Sequence, residues 1–346
     1  MIINTSLGSP YGKREYGQDK RQMTIEQIWE YYKEDLRSAE ERMSEILEGV
    51  APAISTVGKH IFSAGGKRVR PLLAILSSRI FNTRGDEVST LASSVEFIHA
   101  ASLIHDDVVD GAGLRRGRPS AHSLWGNQVV VLVGDFLYAN ALRLANLLGR
   151  QTIMDALCTA TAKMSEGELI QLSKTGNPDM SEDDYMKIIQ GKTAILMSAA
   201  CRGGAVLGRG SQEQEDALAS FGLKFGFAFQ MTDDILDYRA EEKTFGKNLG
   251  KDLEEGKITL PLINLLRDAN GSETERITEI LKAERVSGAD LSYIQDLFDT
   301  HRSIEKSYEK ARNILNEARA ELDIFPDSRE KESLLAIADY LLTRKK

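Results

Sequence analysis

Apolar residues recur at spacings of three and four over most of this chain, and no segment alternates convincingly between apolar and polar. That period belongs to α-helices with one buried face, and a half-buried strand does not produce it. Only seven prolines interrupt 346 residues, of which 42% are hydrophobic, so long helices and a large core are both attainable. Candidate helices run over 25–51, 71–81, 85–109, 127–148, 153–173, 182–207, 211–238, 260–270, 274–282, 291–318 and 331–343, bounded by Ser or Asp caps and by Gly or Pro. The expectation is an all-α, single-domain bundle over 23–346 with a ligand site in its interior. Residues 1–22, polar and without a signal-peptide apolar run, read as a flexible tail.

The most apolar window, 129–148, carries Asp135, Asn140 and Arg143, which a membrane span would have to desolvate, so it reads as a buried core helix. Cys158 and Cys201 have no Cys or His neighbour at zinc-ligand spacing and suit a reducing compartment, which makes the cytoplasm the expected location. A net charge of −8 excludes a general attraction to nucleic acid or anionic membrane. An anionic substrate would therefore need a local basic cluster or a metal ion.

Both are present. Asp106-Asp107-Val108-Val109-Asp110 and Asp233-Asp234-Ile235-Leu236-Asp237 repeat one pattern. On a helix, spacings of one and four residues set three carboxylates within an arc of about 100°. Such a row offers hard oxygen ligands to magnesium, which keeps water and substrate phosphate as its other ligands. With 23 aspartates in the chain, about 0.1 such matches are expected by chance. One match would read as a solvated acidic face; two, each ending an apolar helix, call for a cation.

Basic segments accompany the clusters. Gly65-Gly66-Lys67-Arg68-Val69-Arg70-Pro71 can present backbone N–H groups and guanidinium donors to phosphate oxygens. Arg115-Arg116-Gly117 follows the first cluster, Lys192-Thr193 follows Gly191, and Lys247, Lys251 and Lys257 follow the second. Singly, each would read as a solvated surface charge. Together they describe a cavity with metals on two walls and cations around them.

The segments GGKRVRP (65–71), EFIHAASLIHDDVVD (96–110), RRG (115–117), GKTA (191–194), FQMTDDILD (229–237) and FGKNLGKDLEEGKITLP (245–261) closely resemble the trans-isoprenyl diphosphate synthase family. The resemblance implies an isoprenoid-synthase-type bundle whose deep central cavity has the two aspartate clusters across its mouth. It implies magnesium, two or three ions, held by Asp106, Asp107, Asp110, Asp233 and Asp237, with Asp234 in support. Lys67, Arg70, His99 and Arg116 match the positions that grip isopentenyl diphosphate. Arg115, Lys192, Thr193, Gln230, Lys247 and Lys257 match those around the allylic diphosphate and its leaving group. Without the motif, His99 would read as a satisfied core histidine.

Ala101 and Ser102 lie one helical turn before Asp106. Relatives that stop at short products tend to carry an aromatic there, so the resemblance implies a long-chain product of roughly thirty carbons or more, passing down the helix wall. Helix 129–148, with Ala139 and Leu142, is the candidate floor. Alternatives are a short-chain farnesyl or geranylgeranyl diphosphate synthase, a terpene cyclase, a non-catalytic partner subunit, and an acidic calcium-binding or purely structural bundle. The basic 65–71 loop with Arg116 argues against a cyclase, since a second diphosphate needs its own cations. The intact clusters argue against an inactive subunit. The family also implies a homodimer, and a long lipid product implies transient membrane contact for release.

Overall fold

The computed structural model describes residues 23–63, 65–115, 117–239, 250–283 and 285–344; the expected 1–22 tail lies outside them. Helices dominate, as the periodicity requires. α1 (Ile25–Tyr31) opens with a capping box between Thr24 and Gln27 and hands over at Tyr32 to α2 (Lys33–Ile46). The single helix expected over 25–51 is therefore two. Tyr32 is wholly buried, with its hydroxyl on Glu330 and Arg79 over its ring, and the chain bends to place it there.

α3 (Pro52–Ser63) was not legible in the sequence: Ile54, Ser55, Thr56, Val57 and Gly58 are poor helix formers, held helical by packing. α4 (Val69–Arg79) and α5 (Asp86–Val109) follow the expected boundaries closely. A hairpin of two-residue strands, β1 (Leu114–Arg115) and β2 (Arg118–Pro119), is too small to change the all-α class; Gly117, at φ +73°, takes the tight turn between them.

After α6 (Ala121–Trp125) come α7 (Asn127–Leu147) and α8 (Gln151–Lys174). α7, expected as a buried core helix, is buried on one face only. Val130, Val133, Leu137, Ala141 and Leu144 face the core, whereas Val131, Leu132 and Leu147 are exposed. A straight helix packed on one side buries one stripe only, and the opposite stripe here mixes those apolar side chains with the exposed Gln128, Asp135, Arg143 and Asn146. It is the one helix among the described residues long and apolar enough to cross a membrane, with 39% of that window buried.

The helix expected over 182–207 consists of α9 (Glu182–Ile189), a π-turn (Gln190–Ala194) and α10 (Ile195–Leu207). α11 (Gln212–Arg239), α12 (Lys251–Glu254), α13 (Leu260–Asp268) and α14 (Gly271–Lys282) follow. The helix expected over 291–318 is α15 (Gly288–His301) and α16 (Ser303–Glu321), separated by Arg302 in the left-handed region; α17 (Arg329–Thr343) ends the bundle.

Two apolar cores result. One gathers α1–α5, α7, α8, α10 and α17; the other gathers α9 and α12–α15. α11 and α16 run through both. On α11, Leu218, Phe221 and Phe225 enter the first core, and Met231, Ile235 and Tyr238 the second. Burying each such side chain contributes about 1.5–3 kcal/mol, so α11 is anchored along its length and its C-terminal carboxylates are held in place.

Candidate active site

Both aspartate rows end long helices. Asp106 and Asp107 occupy the last turn of α5, with Asp110 as its C-cap; Asp233, Asp234 and Asp237 occupy the last two turns of α11. Helix C-termini carry partial negative charge, so three carboxylates at each add repulsion to a field of the same sign. The acidity of the groups shows the strain. Burial pushes Asp106 up to about 6, with Lys192 opposing and Glu168 adding to it. Burial also raises Asp107, against Arg115, and raises Asp237. Asp234 stands at about 7, again through burial.

The structure brings the rows to one cleft. Lys257, beyond α12, donates to Asp110 at 3.2 Å and to Glu255 at 2.6 Å. Burial works against its ammonium, but Glu255 and Asp110 outweigh this and hold its pKa up. Asp237 reaches the same loop from the other side, accepting the backbone N–H of Asp252 at 2.9 Å. The cleft is lined by Gln171, Lys192, Gln230, Asp234, Asp252 and Lys257, with Ile188 and Ile189 as apolar wall.

Lys192 and Thr193 are aimed by the π-turn. A Cβ on Gly191 would meet the Lys163 carbonyl at 2.6 Å and Gly167 Cα at 2.9 Å, so only glycine lets this turn press against α8. Lys192 then donates to Glu168 at 2.7 Å, and Thr193 donates to Gln230 at 2.7 Å. The extra residue of a π-turn rotates the side chains that follow it, a device concentrated at functional sites. Gln230 in turn donates to Asp234 at 2.8 Å, whose other oxygen accepts from the buried Tyr185 hydroxyl at 2.6 Å. Asp234 is thus committed to its own protein.

The remaining acids face cations. Arg115, on β1, donates through Nε to both Asp107 oxygens at 3.0 Å, and Arg344 donates to Asp233 at 3.3 Å. Arg70 contacts His99 Nε2 at 3.2 Å; burial pulls its guanidinium down to about 10, so it keeps its charge at neutral pH while Glu96 and Asp233 favour that charge. Lys67 reaches the Tyr340 hydroxyl at 3.4 Å. Arg68, by contrast, is tied to Glu40 and Glu96 and braces the loop. Arg116 and Lys247 lie outside the described residues. Ala101 is buried on α5, Ser102 is half-buried and donates to the His99 carbonyl at 2.9 Å, Leu142 is half-buried, and Ala139 faces outward on α7.

Sequence reasoning missed Glu168, Gln171, Tyr185, Asp252 and Arg344. Glu168 and Gln171 carried a signal, two polar residues three apart on the α8 face that bears Gly167. Asp252 sat unremarked among the lysines; burial, with Asp234 and Asp237 nearby, drives its pKa well up.

Comparison with known proteins settles the family. Residues 51–298 match the family model for polyprenyl synthetase. The chain belongs to this family. The synthase is 37% identical over 316 residues to the octaprenyl diphosphate synthase of Haemophilus influenzae, covering 91% of this chain and 96% of that one. Its fold matches a decaprenyl diphosphate synthase from Rhodobacter capsulatus with a TM-score of 0.88 at 36% identity, covering 93% and 99% of the two chains. A polyprenyl synthase from Caulobacter crescentus, complexed with calcium and isoprenyl diphosphate, matches with a TM-score of 0.88 at 34% identity, covering 95% and 100%. The synthase is accordingly an all-α trans-prenyltransferase with the isoprenoid synthase fold.

The donor set at the cleft fits magnesium. It is made of hard carboxylate oxygens, without thiolate or imidazole in either row. Among the described residues no three carboxylates, histidines or cysteines cage an ion by themselves. Magnesium held by one or two carboxylates plus substrate phosphate needs no such cage.

Proposed function

We propose that the synthase, acting as one unit over 23–346, extends an allylic diphosphate with isopentenyl diphosphate to a long-chain polyprenyl diphosphate. The observation that carries this reading is the cleft where Lys257 on Asp110 of the first row and Lys192 meet Asp234 of the second, with Arg115 on Asp107 beside it. Asp106, Asp107, Asp110, Asp233 and Asp237 would hold two or three magnesium ions, with Asp234 fixing the α11 wall through Tyr185 and Gln230. Magnesium, when bound, neutralises charge on the departing pyrophosphate. Arg115, Lys192, Thr193, Gln230, Lys247 and Lys257 grip the allylic diphosphate, so that its C–O bond breaks toward fixed positive charge. Lys67, Arg70, His99 and Arg116 hold isopentenyl diphosphate, whose double bond attacks the allylic carbon; loss of one proton then restores an alkene. Apolar walls keep water from the cation.

The octaprenyl and decaprenyl relatives and the small pair Ala101 and Ser102 support a long product. Incorporation of radiolabelled isopentenyl diphosphate, followed by chromatography, tests both points. Chelator should abolish incorporation, and Ser102→Phe should shorten the product; chelator-resistant transfer sinks the metal assignment, and an unchanged chain-length profile sinks the role of Ser102.

Leu132 and Leu147 of α7, at 67% and 64% exposure, and Leu169 of α8, at 67%, are large apolar side chains facing solvent. These exposed leucines support a homodimer formed through this face, with membrane contact at product release. A monomer by sedimentation velocity at micromolar concentration would rule out the dimer.

A further inference from the structure

Arg344 follows α17 with its side chain turned inward. It is only 9% exposed, and its guanidinium lies 4.6 Å from the centroid of the Phe229 ring. One nitrogen, Nη2, donates both to the Phe229 carbonyl at 3.1 Å and to Asp233 at 3.3 Å. Nε is buried with no hydrogen-bond partner among the described residues. A guanidinium carries five donors, and burying one unpaired costs free energy. The pair is also lopsided, since the Asp233 side chain is 61% exposed while that of Arg344 is 6% exposed.

This arginine lines an apolar pocket with Lys67, Phe229 and Tyr340, one wall of which is the basic 65–71 loop. Asp233 also feels Arg70, on α4. The first acid of the second row thus faces two cations, Arg344 and Arg70. A divalent ion on Asp233 would face the Arg344 charge at close range and be repelled.

We propose that Arg344 is the stand-in counter-ion of Asp233: it holds this carboxylate in the substrate-free enzyme and gives it up when a diphosphate arrives to occupy its unused donors. Metal loading of the second row and binding of diphosphate then favour one another, and by linkage each strengthens the other by the same factor. The proposal rests on the assignment of Asp233 as a metal ligand.

Manganese binding to the substrate-free enzyme, followed by electron paramagnetic resonance with and without inorganic pyrophosphate, tests it. Arg344→Gln should bind manganese about two- to five-fold more tightly than wild type without pyrophosphate, the range expected for loss of a partly exposed ion pair. The factor by which pyrophosphate tightens manganese should shrink to match. Arg344→Lys should stay near wild type. Unchanged or weaker manganese binding by folded Arg344→Gln overturns the proposal. Arg344→Met, which keeps an apolar contact with Phe229, serves if the glutamine variant is unstable; collapse of both makes Arg344 a structural anchor and also overturns it. Asp233→Asn separates the two ideas. If it leaves manganese binding as in wild type, the metal assignment fails; if it weakens binding while Arg344→Gln does not tighten it, only the stand-in role falls.

Discussion

The two aspartate rows share a pattern and differ in nearly everything around it. In the first, the middle acid, Asp107, is paired with Arg115 on a small hairpin, a cation that can leave. In the second, the middle acid, Asp234, is fixed by Tyr185 and Gln230 from the surrounding wall. The approaches differ too. Ala101 and Ser102 stand five and four residues before Asp106, whereas Ala228 and Phe229 stand there before Asp233, and Phe229 supports Arg344. One helix sets two small side chains before its carboxylates and the other an alanine and an aromatic ring. Identical spacing therefore records a shared demand for cations, while the neighbours divide the labour.

Removing the outer acids should erase this difference. Asp106→Ala and Asp233→Ala are each expected to lower turnover on the order of 10²- to 10³-fold, as loss of a group stabilising transition-state charge does, with the circular dichroism spectrum unchanged. Full activity in either purified variant would show that its row is not catalytic. The middle acids should bring the difference out. Asp234→Ala leaves the Tyr185 hydroxyl buried without its partner and should cost about 2–4 kcal/mol of stability. Asp107→Ala, which frees a third-exposed arginine, should cost less than about 1 kcal/mol. Equal losses in urea denaturation would mean that the two rows are built alike.

The smallest effect concerns pH. Asp106 and Asp234 have folded-state pKa values raised from 3.8 to about 6 and about 7, so protonation favours the folded state. Their contribution is complete below pH 3.8 and is lost as pH rises through 6 to 7. With chelator present, the thermal midpoint should therefore carry a falling component between pH 5 and pH 7.5, which added magnesium reduces. A chelated enzyme whose midpoint rises across that window would contradict it.

The boundaries of α4, α5, α7 and α11 were legible because each presents a sustained apolar stripe with a stop signal at its end. The breaks at Tyr32 and Arg302 were not, since nothing local marks a tyrosine drawn into a core or an arginine in a left-handed conformation. Both carboxylate rows could be read from spacing alone. Their partners could not: Tyr185 lies 49 residues from Asp234, and Arg344 lies 111 from Asp233. Such contacts come from how helices are stacked, which periodicity does not encode. The π-turn was hidden for the same reason, as Gly191 reveals its purpose only against α8.

That turn also lies on a seam. Tyr185, Ile188 and Ile189, just before it, belong to one apolar core, while Leu196, Met197 and Ala200, just after it, belong to the other. A regular helix would have to serve both bodies with a single phase. The additional residue advances the phase by about 100°, so each half is free to mesh with its own neighbours. The structure thus works as a vernier between two packed bodies, and Lys192 and Thr193 at the cleft are the teeth left over by the adjustment.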